Sequence, residues 1–342
     1  MKPSVDDIGM PPAPVAPGVL FCLQLDGKGG ATELGDGSID AINKAWHAAS
    51  ADRPVWIHVD RNHPDAKAWL SGASGLDDSI VRSLMQEEPR PRLSPSSHGT
   101  TAVFRGVNLN DTDEDPMLAV RLCATEHRLV SVRVWRVMSI RDVRAHLNDG
   151  RGPSTTAGIV SAIAVGMGER TGAEVARIEA EADELEIAMS TLATADARSR
   201  IAALRRQAIQ VRRYIAPQQD VVAKLARGGL PGLDSDARDA LTDMADRLQR
   251  DVDALDATRE HLGVAHDELS NTLAERMNRI SYALTIVASL FLPLGFITGL
   301  LGINVGGMPL AQNTAGFWLV SAGCVLLLAI QAVVLWFWLG RR

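Results

Sequence analysis

The sequence predicts an α+β membrane protein, in which an N-terminal α/β cytoplasmic domain is followed by long antiparallel helices and by two C-terminal transmembrane helices. Three observations predict this fold class. No Asp, Glu, Lys or Arg occurs between Ile280 and Gly340. Leucines recur every seven residues upstream of that uncharged segment, and strand-like and helical segments alternate before residue 150. Each observation assigns one part of the chain to one kind of structure.

The first 17 residues are rich in proline and contain no apolar stretch of the kind found in signal peptides. We expect residues 1–17 to be a disordered lead-in and the soluble part to stay in the cytoplasm. The formal net charge of −6 argues against a nucleic-acid partner, which favours a basic surface. The three cysteines form no CxxC pair, as is typical of reduced thiols.

Residues 18–150 are predicted to form the α/β domain. The strand-like segments are Val19–Leu25, Val55–Val59, Thr101–Leu109, Met117–Cys123 and Leu129–Val137. The helical segments are Asp40–Ser50, His63–Ser71 and Leu76–Gln86. The proline-rich segment from Glu88 to His98 is predicted to be a loop. No nucleophile motif, P-loop or dinucleotide signature occurs, so we predict that the protein is not an enzyme and carries no prosthetic group.

Two residue pairs in this domain have a spacing found among metal ligands. They are Cys123 with His127 and His58 with His63. Each pair spans the end of a predicted strand and a turn, and no second pair with zinc-site spacing stands beside either. They are weak candidates, and the sequence leaves the metal ligands of the soluble part unknown.

Residues 151–279 are predicted to form long cytoplasmic helices. One helix or a helix pair spans Thr171 to Arg227, and the glycine-rich segment 228–232 ends it. A longer helix then begins near Asp234 or Ser235 and continues into the uncharged segment. Its heptad positions carry leucine five times without interruption, which indicates helix packing along its length: Leu241, Leu248, Leu255, Leu262 and Leu269.

The uncharged segment is predicted to form a membrane hairpin. Ile280–Leu301 has 22 residues, about 33 Å as a helix and enough to cross a hydrocarbon core of about 30 Å. The second span is Phe317–Leu339, the connecting loop is 302–316, and the basic tail is 340–342. Arginines flank the outer ends of both spans and the loop carries no charge, so both termini are expected in the cytoplasm.

One face of the first span is small or polar. Steps of three and four residues along the helix place Asn278, Ser281, Thr285, Ala288, Leu292, Gly295 and Gly299 on it. Plain helix packing is one interpretation of this stripe. A water-filled pore is the other, because Asn278 and Thr285 need a polar partner. One hairpin cannot enclose a pore, so conduction requires several copies around an axis. Pro293 removes a backbone hydrogen bond in the same span, and a neighbouring helix or water must replace that bond.

The first span is followed by Gly302-Ile303-Asn304 and then by Val305-Gly306-Gly307-Met308-Pro309. Here the chain resembles the CorA-type metal ion transporter superfamily, which places Gly-Met-Asn at this point, and its Gly-Ile-Asn form resembles the ZntB zinc transporter branch. The resemblance implies a funnel-shaped homopentamer in a bacterial inner membrane. The first span would line the pore with the stripe residues, and Asn304 would contact the hydrated ion at the outer mouth. Leu310 stands where magnesium members commonly carry a Glu, which favours zinc.

A zinc transporter is therefore the leading hypothesis. The direction of transport and proton coupling stay open, and other divalent cations are included. A magnesium or cobalt channel of the same superfamily is the first alternative. A membrane-anchored coiled-coil scaffold or sensor without conduction is the second, although a mere anchor needs only one span.

Overall fold

The computed structural model describes residues 16–34, 38–87, 89–108, 117–189, 194–303 and 313–339. The chain divides into two units, residues 1–265 and residues 266–342. Helix α7, Ser235–Leu301, contributes residues to both units. The two units are described separately below.

A seven-stranded mixed sheet forms the centre of the first unit. Its strands are β1 Val19–Leu25, β2 Ala31–Glu33, β3 Val55–Asp60, β4 Arg92–Ser96, β5 Gly99–Val107, β6 Met117–Ala124 and β7 Arg128–Arg133. The spatial order is β2-β1-β3-β7-β6-β5-β4. Only β3 and β7 pair in parallel among these strands, and the predicted turn between β6 and β7 closes an antiparallel hairpin.

Helices cover both faces of this sheet. Three short helices lie over one face, namely α1 Ile39–His47, α2 Pro64–Ser71 and α3 Asp78–Met85. They enclose a core that includes Ile42, Trp46 and Leu70. The other face packs on α4 Met138–Asn148, α5 Thr156–Ala188, α6 Thr194–Lys224 and α7. Because one core joins the sheet to these long helices, residues on both sides of position 150 stabilise each other.

Several predicted segments differ from the observed ones. The predicted loop from Glu88 to His98 contains β4, and Pro95 is tolerated there because β4 is an edge strand, where a missing N–H breaks no inner ladder. The strand predicted to reach Val137 ends at Arg133, where its partner β3 also ends at Asp60. The short strand β2 and the helix α4 were not predicted.

The segment predicted as one helix or a helix pair is a pair, α5 and α6. Its first helix begins at Thr156 and not at the predicted Thr171. Helix α5 begins at Thr156, whose preceding residue Thr155 accepts a hydrogen bond from the Gly158 N–H at 3.0 Å. A capping threonine at position 155 could have predicted this helix start from the sequence. Cross-helix contacts then set the directions. Glu174 of α5 contacts Gln207 of α6, and Arg212 of α6 contacts Asp256 of α7, so α6 runs antiparallel to both neighbours.

Helix α7 confirms the long helix expected from the leucine repeat. Asp234 accepts a hydrogen bond from the Ala237 N–H at 2.7 Å and so caps its N-terminus. The glycine-rich break before it is also confirmed, since Gly228 and Gly232 adopt φ angles of 97° and 77°. All five heptad leucines are buried, from 0% exposure at Leu241 and Leu248 to 9% at Leu269.

The second unit consists of the C-terminal part of α7 and of α8, Gly316–Leu339. Helix α7 ends at Leu301, as predicted, and α8 begins one residue before the predicted Phe317. The most apolar 18-residue segments of the two helices have mean hydropathies of 2.2 and 2.4, and neither segment is buried within the chain. Helices that are this apolar and this exposed need a lipid or protein environment.

Candidate functional site

The two apolar helices contact each other along one face of each. On α8 the half-buried positions follow a spacing of three and four residues: Val320, Ser321, Cys324, Leu327, Gln331 and Leu335. On the apolar part of α7 they are Ile286, Ala288, Leu290, Pro293, Leu294 and Ile297, and all but Ala288 share one face. Helix α8 therefore packs on the face of α7 that carries Leu290 and Pro293.

A specific polar contact stands in the middle of this helix pair. Pro293 has no N–H, so the carbonyl of Ser289, four residues earlier, loses its helical partner. The side chain of Gln331 on α8 donates from Nε2 to that carbonyl oxygen at 3.3 Å. A neighbouring helix thus supplies the hydrogen bond that a proline removes in a membrane span. The need for a partner followed from the sequence, but Gln331 was not identified as that partner.

The predicted pore-lining residues lie on another face of α7. Asn278, Ser281, Thr285, Leu292, Gly295 and Gly299 are all exposed in the single chain. At about 100° per residue, the centre of this stripe is roughly 150° around the helix from the face that packs on α8. The exposed fraction of Leu292 reaches 70%. The stripe is thus available for contact with water, lipid or further chains.

One argument for water at the stripe is weakened. The hydroxyl of Thr285 donates to the carbonyl oxygen of Ser281 at 2.8 Å within its own helix. Thr298 does the same to Leu294 at 2.9 Å. A threonine satisfied in this way needs no external partner in lipid, so the expectation that Thr285 needs one was wrong. Asn278 has a carboxamide with donors and an acceptor, so a bond to a backbone carbonyl of its own helix would still leave its oxygen without a partner.

The predicted loop motif begins directly after α7. The N–H of Gly302 donates to the carbonyl oxygens of Thr298 at 2.9 Å and of Gly299 at 3.1 Å, as in the last turn of a helix, and Ile303 is 49% exposed. Asn304 lies outside the described residues, as do residues 305–312, so its place at a pore mouth stays a prediction.

The weak metal-ligand candidates occupy different environments. Cys123 is 2% exposed, and burial raises the pKa of its thiol to about 12, whereas His127 lies beside Glu126 near the surface. His58 is buried, and burial lowers the pKa of its imidazole well below the usual value. Its Nδ1 lies 2.7 Å from the hydroxyl oxygen of Ser131.

His63, by contrast, accepts a hydrogen bond from the Asp65 N–H at 3.3 Å and so caps α2. Within the described residues no group of three or more His, Cys, Asp or Glu side chains could hold a metal ion. The environments of the two pairs add no support for a metal site in the first unit.

These features define a class of protein. The first unit is built on a mixed sheet, and it shares one helix with an apolar hairpin whose two helices have a short uncharged connection. This combination is typical of a membrane protein with two C-terminal spans. Comparison with known proteins gives the family. Residues 51–342 match the family model described as "CorA-like Mg2+ transporter protein".

Similar proteins cover nearly the whole chain. A protein of Yersinia enterocolitica named "Zinc transport protein ZntB" is 35% identical over 321 residues, which is 94% of each chain. The "Divalent cation transporter CmaX" of Pseudomonas aeruginosa is 35% identical over 332 residues, 95% of this chain and 96% of that protein. The solved structure of full-length CmaX has a TM-score of 0.76 and 32% identity over 96% of this chain and 98% of its own.

The chain belongs to the CorA-like transporter family. Its members are ion transporters rather than enzymes, and the two apolar helices make this chain a membrane protein with a soluble unit. The resemblance inferred from Gly302, Ile303 and Asn304 at the end of an uncharged span is thereby confirmed.

Proposed function

We propose that this protein transports divalent cations, with zinc as the principal ion, as a homopentamer in a bacterial inner membrane. The apolar part of α7 lines a central pore, α8 lies outside it, and both chain termini are cytoplasmic. Asn304 stands at the outer mouth with Gly302 and Ile303. A carboxamide oxygen there hydrogen-bonds the water shell of an ion without holding the metal too tightly for release.

The observation that carries this proposal is the division of α7 into two faces. Helix α8 occupies the face with Leu290 and Pro293, while the stripe from Asn278 to Gly299 is exposed nearly opposite. Small and polar residues are unfavourable toward lipid compared with large apolar ones. Other copies of the same helix, arranged around an axis, would enclose this stripe and leave α8 at the periphery.

The choice of zinc rests on the relatives and on the loop. One relative is named a zinc transporter and another a divalent cation transporter, each at 35% identity. The segment from Gly302 to Gly316 contains no acidic residue, and Leu310 follows Pro309. A mouth without carboxylates attracts cations through neutral dipoles alone and lacks the oxyanion ligands that Mg²⁺ prefers, which weakens the case for Mg²⁺.

Magnesium transport is the second candidate, because the family model carries Mg²⁺ in its description. Proton coupling and the direction of transport stay open. No Asp, Glu, Lys, Arg or His occurs between Ile280 and Gly340, so any coupling would have to use residues outside the spans.

Ion flux into proteoliposomes tests the proposal. We expect the reconstituted protein to move Zn²⁺ faster than Mg²⁺ and Asn304→Ala to reduce that flux. Transport of Mg²⁺ without Zn²⁺ would exclude zinc as the principal ion. Unchanged transport in Asn304→Ala would exclude the role of Asn304 at the mouth.

Cysteine modification tests which face of α7 meets water. In a Cys324→Ala background, a charged water-soluble thiol reagent should block most of the flux through Ser281→Cys. The matched control is Val287→Cys, since Val287 is equally uncharged and exposed but lies outside the stripe. Block at Val287→Cys with no block at Ser281→Cys would contradict the assignment of the pore face.

A further inference from the structure

The sheet face beneath α3 changes from apolar to polar at its β4 edge. In the register of the sheet, Arg92 of β4 pairs with Val103 of β5, which pairs with Arg121 of β6. In the next row of the same face, Ser94 pairs with Thr101. Because directly paired residues point to the same side of a sheet, these arginines and hydroxyls all lie on the α3 side.

A cavity of about 480 Å³ opens between α3 and this edge of the sheet. Its volume lies within the range of small-molecule sites. The polar side chains that line it are two arginines, one glutamine and five hydroxyl side chains: Arg82, Arg92, Gln86, Ser79, Ser83, Ser94, Ser96 and Thr101. No Asp or Glu is among its described lining residues. The described part of the wall therefore offers two guanidinium groups and several hydroxyls, and no carboxylate.

One of the two wall arginines is held by a neutral partner. Arg92 donates from Nη2 to the hydroxyl oxygen of Ser83 at 2.8 Å, which links β4 to α3 across the cavity. In the part of the chain that the structure describes, neither Arg82 nor Arg92 has a carboxylate within salt-bridge distance. Among the described residues, most N–H donors of these two guanidinium groups have no protein acceptor, so they can meet water or a ligand.

Arg121, behind the cavity, adds a second and independent observation. It is 3% exposed, and its Nε donates to the carbonyl oxygen of Gln86, a lining residue, at 3.0 Å. Its Nη1 is buried and has no hydrogen-bond partner among the described residues. Burial, and then the positive charges of Arg61, Arg105 and Arg92, lowers the pKa of Arg121 to about 10. Among these arginines Arg61 has a carboxylate nearby, that of Glu87 at 3.7 Å. The buried charge of Arg121 itself is unfavourable unless an anion compensates for it.

We propose that this cavity binds the phosphate group of a small soluble organic phosphate. Arginine forks match phosphate oxygens with paired hydrogen bonds, and serine and threonine hydroxyls complete such a shell. The cavity is much larger than one phosphate group needs, given that a water molecule occupies about 30 Å³ in the liquid. The remaining space would hold the organic part of the ligand. Such a site lies in the soluble unit and is independent of which ion crosses the membrane.

Calorimetric titration of the full chain in detergent with inorganic pyrophosphate tests this site. We expect saturable binding that weakens about tenfold or more in Arg82→Gln and in Arg92→Gln, because each removes a charge-assisted contact. Arg90→Gln is the matched control, since Arg90 is exposed, makes the same change of charge and does not line the cavity. Arg90→Gln should bind within about twofold of the unaltered chain.

Two controls keep the result interpretable. Arg82 is exposed on α3, so Arg82→Gln should unfold at the same temperature as the unaltered chain, and its loss of binding would then reflect the site. Absence of pyrophosphate binding, or equal binding by all three variants, would overturn the proposal. Titration is repeated in phosphatidylcholine nanodiscs with and without phosphatidic acid. Competition by phosphatidic acid that Arg82→Gln abolishes would assign the phosphate to a lipid head group and overturn the soluble ligand.

Discussion

Gln331 supplies the hydrogen bond that Pro293 removes, so replacing Gln331 by Met should weaken the contact between α7 and α8. Methionine keeps the length of the side chain and removes the donor that reaches the Ser289 carbonyl oxygen at 3.3 Å. Leaving a buried carbonyl without a partner costs about 1–3 kcal/mol in soluble proteins. Side-chain hydrogen bonds between membrane helices average only about 0.6 kcal/mol and reach about 1.7 kcal/mol.

The membrane values are the better guide, because the donor and the carbonyl belong to two membrane helices and their distance of 3.3 Å lies just beyond the usual range of about 2.7–3.2 Å. We therefore expect Gln331→Met to cost about 0.5–1.5 kcal/mol per chain. The decisive measurement is a double-mutant cycle with Pro293→Ala. Alanine restores an N–H at position 293, which can bond the Ser289 carbonyl within the helix, so Gln331→Met should then cost close to nothing.

Reversible unfolding of the reconstituted helices by added SDS, followed by circular dichroism, gives the four free energies. Leu327→Met, on the same half-buried face of α8, is the control for a change of side chain without loss of a hydrogen bond. An equal cost of Gln331→Met in the unaltered chain and in the Pro293→Ala variant would refute the reasoning. It would mean that Gln331 contributes by packing and not by compensating for the proline.

Two further predictions concern the soluble unit. In a urea titration, Gly18→Ala should destabilise it by about 2–4 kcal/mol, because Gly18 has a φ of 77° and a Cβ there would lie 2.7 Å from a backbone nitrogen. The control is Gly27→Ala, since Gly27 has a φ of 71° but lies in open space. This change should cost only about 1–2 kcal/mol. Arg212→Met should cost about 0.5–1 kcal/mol at pH 7, since the pair with Asp256 is partly exposed. The hydrogen bond from Arg212 lowers the pKa of Asp256, so this difference should be full above about pH 4 and disappear as pH falls through the lowered pKa. A difference that persisted in strong acid would contradict it.

The sequence by itself determined the parts of the protein that repeat a simple pattern. The heptad from Leu241 to Leu269 predicted the long helix, and the uncharged segment after Ile280 predicted the two spans. Both signals depend on one physical quantity, the transfer of apolar side chains out of water, and neither depends on what lies far away in the chain. The loop motif at Gly302 could likewise be located from the sequence, because it directly follows the first uncharged span.

The tertiary structure decided everything that depends on a partner from elsewhere in the chain. Residues 92–96 form a strand because β5 lies beside them, although Pro95 signals a loop. Thr285 is satisfied within its own helix, and Gln331 reaches Ser289 from 42 residues away. The arginine cavity likewise arises only when the register of the sheet places Arg92 and Arg121 on one face. A hydrogen bond or an ion pair acts over a few ångströms, so sequence patterns indicate that a group needs a partner, while only the folded chain determines which partner it finds.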